Sequence, residues 1–200
     1  MSVDAETLAV YAARAAEYAA HFACDAPGRD LSAFIAALPR GARVLDLGCG
    51  PGDASALMAR AGLVVDPVDA SPAMIAIARD RHGLPARAGT FDDLDAVAEY
   101  AGVWASFSLL HAPRTDFPRY LAAIHRALIP GGMLYLGMKL GTGQGRDGFG
   151  RFYTYYSRED LGQHLTDAGF TLVNARQHTE TGFAGMPEPG LHLLARVADA

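Results

Sequence analysis

The chain has 200 residues, half of them apolar, enough for one globular domain whose core needs no disulfide or metal to hold it. Seventeen Lys and Arg against 22 Asp and Glu give a formal net charge of -5, which disfavours a surface that tracks nucleic acid and favours a small-molecule partner. Cys24 and Cys49 are too few for a disulfide framework or a zinc site. No apolar stretch approaches the roughly 20 residues of a membrane span, and no basic start leads into an apolar core, so a cytoplasmic protein without metal or membrane partner is expected.

Leu8, Tyr11, Ala12, Ala15, Tyr18, Ala19 and Phe22 recur at helical spacing behind an N-cap at Asp4 and predict an amphipathic helix over about residues 4–24. Asp30 is expected to cap a second helix that carries Leu31, Phe34, Ile35 and Leu38 and ends at Pro39. Strands and helices then alternate. A buried strand at 44–47 leads to a helix at 54–61 stopped by Gly62, then to a strand at 63–69 in which Pro67 predicts a bulge or an early end. Ser71 caps a helix with Pro72 at its first position, turning Met74, Ile77 and Ala78 inward as far as Gly83. A weaker strand at 86–91, a short helical piece at 94–100 and a strand at 103–106 follow. Next come a helix marked by Phe117, Leu121, Ile124 and Leu128, and a turn at 130–132 into a strand at 133–136. Ser157 with Asp160 predicts a helix cap ahead of Leu161 and Leu165, and 170–175 and 191–197 read as closing strands. Repeated βα units of this kind predict an α/β domain, a mostly parallel sheet with helices on both faces, with no internal repeat or linker.

In such a sheet a ligand sits at the carboxyl ends of the strands. The first strand ends in Asp46-Leu47-Gly48-Cys49-Gly50-Pro51-Gly52, where glycines let a ligand approach the backbone and the following helix offers unpaired N–H groups. Asp69, 23 residues after Asp46, ends the second strand, where a carboxylate can accept both hydroxyls of a ribose. The layout suits a nucleoside. Asp53 stands where a dinucleotide fingerprint needs its third small residue, and the Gly-Lys-Ser/Thr ending of a phosphate loop is missing. Two acids suit instead a ligand with an amine and a sulfonium, which makes a nicotinamide-dependent oxidoreductase the weaker alternative.

At these residues the chain resembles the class I S-adenosylmethionine (SAM)-dependent methyltransferases. Val44-Leu45-Asp46-Leu47-Gly48-Cys49-Gly50-Pro51-Gly52 is similar to their first motif and Val68-Asp69-Ala70-Ser71-Pro72-Ala73-Met74 to their second. Leu128-Ile129-Pro130-Gly131-Gly132-Met133-Leu134 is similar to the turn before their fifth strand, so the likeness spans nearly the whole chain. The resemblance implies one domain over 1–200 with a Rossmann-like, doubly wound sheet of seven strands, the last antiparallel. It implies SAM as cofactor and transfer of its methyl group to a small-molecule acceptor, giving S-adenosylhomocysteine; a SAM-binding regulator without turnover is the alternative. It further implies that Gly48, Gly50 and Gly52, with Asp46 and Cys49, line the methionine part, that Asp69 holds the ribose, and that Ala70 or Met74 flanks the adenine. Thr90, Phe91 and Asp92 would meet the adenine edge, Ser106 would lie beside the methionine backbone, and a helix bearing Tyr11 and Tyr18 would cover the pocket. Cys49 reads as a small packing residue rather than a nucleophile, Met74 reads equally well as core filler, and the alternative for Asp69 is a surface loop acid. Within the family, the chain is most similar to small bacterial methyltransferases, some labelled tellurite-resistance-like, through Leu109-Leu110-His111 and a Gly-rich segment with Arg146-Asp147 and Arg151-Phe152-Tyr153-Thr154-Tyr155.

Five glycines between Gly141 and Gly150, followed by Arg151 and several aromatic residues, make a long connection on the ligand side of the sheet. It reads either as a substrate cover, in which Lys139, Arg146 and Arg151 meet an anionic group beside Tyr153, or as a mobile surface loop. His111, just past the fourth strand, has the ordinary pKa near 6.5 that suits a general base, and reads otherwise as a structural histidine on a loop carbonyl. No Asn/Asp-Pro-Pro-aromatic sequence follows that strand, and by the resemblance its absence argues against amide and nucleobase-amine acceptors.

Overall fold

Successive residues of the first strand leave on opposite sides: Leu45 and Leu47 join one core cluster and Val44 another, as a strand buried on both faces requires. The computed structural model describes residues 4–199; the remaining positions of the expected 1–200 domain lie outside the described residues. In chain order the strands are β1 (Arg43–Leu47), β2 (Val64–Asp69), β3 (Arg87–Ala88), β4 (Tyr100–Ser106), β5 (Leu128–Lys139), β6 (Gln144–Arg146), β7 (Phe152–Thr154), β8 (Phe170–Thr181) and β9 (Pro187–Val197). Seven of them form one sheet in the order β3-β2-β1-β4-β5-β9-β8, and only β9 runs opposite to the other six. This is the Rossmann-like arrangement anticipated from the sequence.

The helices are α1 (Ala5–Ala13), α2 (Ala15–His21), α3 (Arg29–Ala36), α4 (Asp53–Arg60), α5 (Pro72–His82), α6 (Phe117–Ala127) and α7 (Arg158–Asp167). One face of the sheet packs Val44, Trp104, Met133 and Tyr135 against Leu31 and Phe34 of α3 and Leu57 and Met58 of α4. The other packs Leu45, Val103, Leu134 and Leu136 against α6 and α7 through Leu121, Ile124, Leu161 and Leu165. The Ser157–Asp160 capping box opens α7 as expected.

Several local expectations are corrected. The N-terminal helix is two helices broken at Arg14 (φ -119°, ψ 19°), although Asp4 does cap the first by accepting from the Thr7 N–H. Asp30 does not cap α3; Gly28 does, and the Asp30 carboxylate pairs instead with Arg176 of β8, a charge-assisted bond stronger than a cap. Pro67 introduces no bulge: β2 keeps unbroken register with β1, and pairing to β3 starts only at Val68, so proline costs no bond on that side. In α5, Ile75 rather than Ile77 is buried beside Met74 and Ala78. The weak third strand shrinks to Arg87–Ala88, and no helix forms at 94–100. The Thr90–Asp93 capping box closes one short turn over Phe91–Asp93, and the Ala98 and Glu99 N–H groups donate to carbonyls of Arg126 and Ala127 instead of building a local helix. The glycine-rich connection is a small hairpin, β6 with β7, packed under α1, where the Thr7 hydroxyl accepts from the Phe152 N–H.

Candidate functional site

Two adjoining cavities open at the carboxyl ends of the strands and share Tyr11, Tyr18, Gly48, Gly50, Ser106 and Phe107 in their linings. The smaller, of about 100 Å³, is walled by Asp69, Ala70, Ser71, Met74, Thr90 and Phe91, with Thr7 and Leu8 of α1 above them. The larger, of about 700 Å³, runs from Asp46 and Cys49 past Trp104 and Tyr135 to Lys139, Arg151 and the β8–β9 hairpin.

The glycine turn is held by the acid at the end of β2. Asp69 accepts the Gly50 N–H and the Ser71 N–H, each at 2.8 Å, and burial raises its pKa against those bonds. Asp46 is 2% exposed, accepts the Ser55 hydroxyl at 2.5 Å, and is pushed up to about 7 by burial. The three glycines differ. A Cβ on Gly50 would meet nothing within 4 Å, so that position opens towards ligand. One on Gly48 would lie 2.4 Å from Ser108 Cβ. One on Gly52 would strike Leu84 and Ala78, so Gly52 serves helix packing and lines neither cavity, contrary to the expected place beside the methionine. Burial pushes the Cys49 thiol up, so it is not a poised nucleophile.

The expected adenine-edge residues separate likewise. Thr90 and Phe91 line the smaller cavity, whereas Asp92 lies outside it and pairs with Arg119 and the Tyr120 hydroxyl. His111 is engaged at both nitrogens. A carbonyl can only accept, so Nδ1 donates to the Phe152 carbonyl at 2.6 Å and Nε2 accepts the Tyr11 hydroxyl at 2.9 Å. Burial lowers its pKa to about 4 and keeps it neutral. Tyr11 in turn accepts from Arg151 Nη1 at 3.2 Å.

Of the cations expected to meet an anion, Arg146 lies outside both cavities and binds Asp4, with both oxygens at 2.8 Å, and Glu6. Arg151 is 2% exposed and clamped to Asp147. Lys139 pairs with Glu188 at 2.7 Å and sits 3.8 Å above the Tyr153 ring.

Other wall residues had no local sequence signal. Phe107 adopts a left-handed backbone (φ 52°), rare for a bulky residue, with its ring set against Gly137 and Gly190. Phe183, at the β8–β9 turn, meets Tyr18 edge-on at 5.3 Å and closes the larger cavity against α2. The Ser71 hydroxyl is buried without a hydrogen-bond partner at the smaller cavity. An orphan hydroxyl beside Asp69, next to a glycine whose side-chain space is empty, fits a nucleoside ligand.

Residues 44–132 match the family described as "Methyltransferase domain". The chain is 38% identical over 104 residues to the ubiquinone biosynthesis O-methyltransferase of Xanthomonas oryzae pv. oryzae, covering 48% of this chain and 42% of that protein. It is 38% identical over 166 residues to the methyltransferase GfsG of Streptomyces halstedii, covering 77% and 54% respectively. The chain thus spans about half the length of the curated relatives it matches. Among solved structures, the Burkholderia thailandensis 1,6-didemethyltoxoflavin-N1-methyltransferase, bound to 1,6-didemethyltoxoflavin and S-adenosylhomocysteine, superposes with a TM-score of 0.78 at 26% identity, over 98% of this chain and 88% of that one. The domain match covers under half of the chain, and the superposed structure is that of a methyltransferase holding S-adenosylhomocysteine, which supports SAM as the cofactor.

Proposed function

We propose that this chain transfers the methyl group of SAM to a small-molecule acceptor held in the larger cavity. The observation that carries the reading is the junction itself: a recess of about 100 Å³ walled by Asp69 and Met74 meets a larger cavity of about 700 Å³ at Gly50, Ser106 and Phe107. Asp69 and the orphan Ser71 hydroxyl would hold the ribose, Ala70, Met74, Thr90 and Phe91 would flank the adenine, and Asp46 and Ser106 would face the methionine end. Bound SAM supplies an electrophilic methyl on a sulfonium. The rate comes from alignment and exclusion of water, supplied here by Tyr18, Phe183 and the Arg151–Tyr11 contact, which together roof the junction. His111 lines the smaller cavity but not the larger and accepts from Tyr11, so its role is to fix that phenol, and a base action on an acceptor in the larger cavity would have to pass through Tyr11.

The likeness to the small methyltransferases labelled tellurite-resistance-like rests on the segments that bring His111 and Arg151 together on Tyr11, and we extend it to this chain on that ground alone. A cytoplasmic location without nucleic-acid partner is part of the same proposal. Among the described residues no helix is long and apolar enough to cross a membrane.

Calorimetry with SAM, S-adenosylhomocysteine and NAD, followed by transfer of label from SAM to a metabolite extract, tests the reading. Binding of SAM and its product with micromolar-range affinity and a labelled small molecule are expected. NAD binding without SAM binding overturns the cofactor assignment, and SAM binding without a labelled product points to a regulator.

A further inference from the structure

Three cations on the wall of the larger cavity, Arg29 aside, are already matched by acids. Lys139 pairs with Glu188, Arg151 with Asp147 and Arg176 with Asp30, while Glu180 adds a carboxylate to the same lining. At these three an anionic acceptor would have to displace an existing partner and then face the carboxylate it displaced, so this part of the wall selects against negative charge rather than for it.

The Lys139–Glu188 pair differs from the others. Asp147 is off the cavity wall, and Asp30 is further tied to His192 at 3.3 Å, but Lys139 and Glu188 both border the cavity. An ammonium has three N–H donors, and among the described residues Glu188 is the sole polar partner of Lys139 Nζ, with the Tyr153 ring filling another side. The hairpin is shaped around the carboxylate: a Cβ on Gly182 would fall 2.1 Å from Glu188 Cδ. Further aromatic surface stands along the same cavity wall. Phe107 lies against the bare faces of Gly137 and Gly190, Gly190 being the β9 partner of Lys139, and Trp104 stacks on Tyr135 at 3.7 Å.

We infer that the acceptor is a neutral, planar heterocycle of the cyclic-amide type, with its carbonyl oxygen accepting from Lys139 Nζ and the adjacent ring N–H donating to the Glu188 carboxylate. The inference rests on the methyltransferase reading and specifies its substrate class. Adjacent carbonyl and N–H groups suit a donor and an acceptor that are themselves in contact, and an uncharged ring leaves the ion pair intact while the aromatic walls cover its faces. Lys139 and Glu188 are then the specificity-determining residues.

The test is calorimetry on protein saturated with S-adenosylhomocysteine, using lumazine as the cyclic-amide probe, 4-hydroxybenzoate as a planar anion and sarcosine as a zwitterion. Lumazine is expected to bind at least tenfold more tightly than either control, and Lys139→Met and Glu188→Gln each to weaken it at least tenfold. S-adenosylhomocysteine affinity should stay within twofold in both variants, which separates loss of the acceptor site from loss of the fold; if Lys139→Met fails to bind it, the near-isosteric Glu188→Gln decides. Absence of lumazine binding, a preference for either control, or unchanged lumazine affinity in the variants overturns the inference. Failure of the parent protein to bind S-adenosylhomocysteine would overturn instead the reading on which it rests.

Discussion

The Tyr11 hydroxyl donates to His111 Nε2 across 100 residues of sequence, and this bond ties the first helix to the loop after β4 at the point where the two cavities meet. Its direction is fixed from the far side of the ring, where Phe152 leaves Nδ1 no choice but to donate.

Tyr11→Phe leaves the Nε2 lone pair of a partly buried imidazole without a donor and removes the acceptor of Arg151 Nη1. A stability loss of about 1–3 kcal/mol is expected. Turnover should fall by more than SAM affinity, because the phenol borders the junction, whereas the ribose and adenine are proposed to be held by Asp69, Ala70, Met74, Thr90 and Phe91. Thermal melts and separate kcat and SAM Kd measurements check this; an unchanged kcat would remove Tyr11 from the reaction chamber.

Arg151→Ala should be costlier to the fold. The guanidinium is almost fully buried and its loss strands the Asp147 carboxylate, for which about 3–5 kcal/mol is expected. Denaturant midpoints measure it, and Asp147→Asn combined with Arg151→Met should recover much of the loss. A double variant no better than Arg151→Ala would show that the ion pair is not the origin of the cost.

Asp69→Ala should weaken SAM binding by about 1.5–3 kcal/mol, the scale of hydrogen bonds to a charged acceptor. It also frees the Gly50 and Ser71 N–H groups that Asp69 now accepts, so the turn should loosen before cofactor arrives. Hydrogen exchange at Gly50 and calorimetric Kd report the two effects separately. Parent-like affinity in the variant would rule out the ribose assignment.

The glycine turn allows a sharper test of which glycine does what. Gly50 (φ 55°) faces open space, whereas Gly52 (φ 88°) lies within 2.9 Å of Ala78 through its absent Cβ. Gly50→Val should fold with only the strain of a left-handed residue, about 1–3 kcal/mol, and lose SAM by filling its space. Gly52→Val adds overpacking against α5 and should show the larger fall in melting temperature. Equal melting losses in the two variants would contradict this division.

What the sequence made legible follows contact range. The turn at 46–52, Asp69 and Met74 lie within one βαβ unit and the helix after it, where strand period, glycine positions and spacing carry the geometry, and all but Gly52 reach a cavity wall. Asp30 with Arg176, 146 residues away, and Lys139 with Glu188 are long-range pairs that no local pattern encodes, so Lys139 read as an unpaired cation and Asp30 as a helix cap. Arg146 misled for the same reason: its partners Asp4 and Glu6 are at the other end of the chain. Phe107 had no signal, since its left-handed backbone is held by bonding to Gly137 and by glycine faces on two later strands.

Asp46 and His111 should give the apoprotein opposing pH dependences over one window. Native Asp46 keeps its proton up to about pH 7, whereas an unfolded aspartate loses it near pH ~4; the native state thus binds more protons between these values, and stability falls as pH rises. An unfolded histidine takes its proton near pH ~6.5 and native His111 only near about 4, so here the unfolded state binds more and stability falls as pH drops through the same range. The parent should therefore show a shallow profile from pH 4 to 7. Asp46→Asn removes the first dependence and should expose stability rising with pH; His111→Gln removes the second and should expose stability falling with pH. Urea unfolding at pH 4, 5, 6 and 7 on the three proteins reads both slopes. Cofactor adds a further sign: the ammonium of SAM favours ionised Asp46, so binding near pH 6 should release a proton, visible as a buffer-dependent calorimetric enthalpy. The Asp46→Asn variant should lose that release, and a parent profile parallel to both variants, with no buffer dependence, would show that neither group carries the titration.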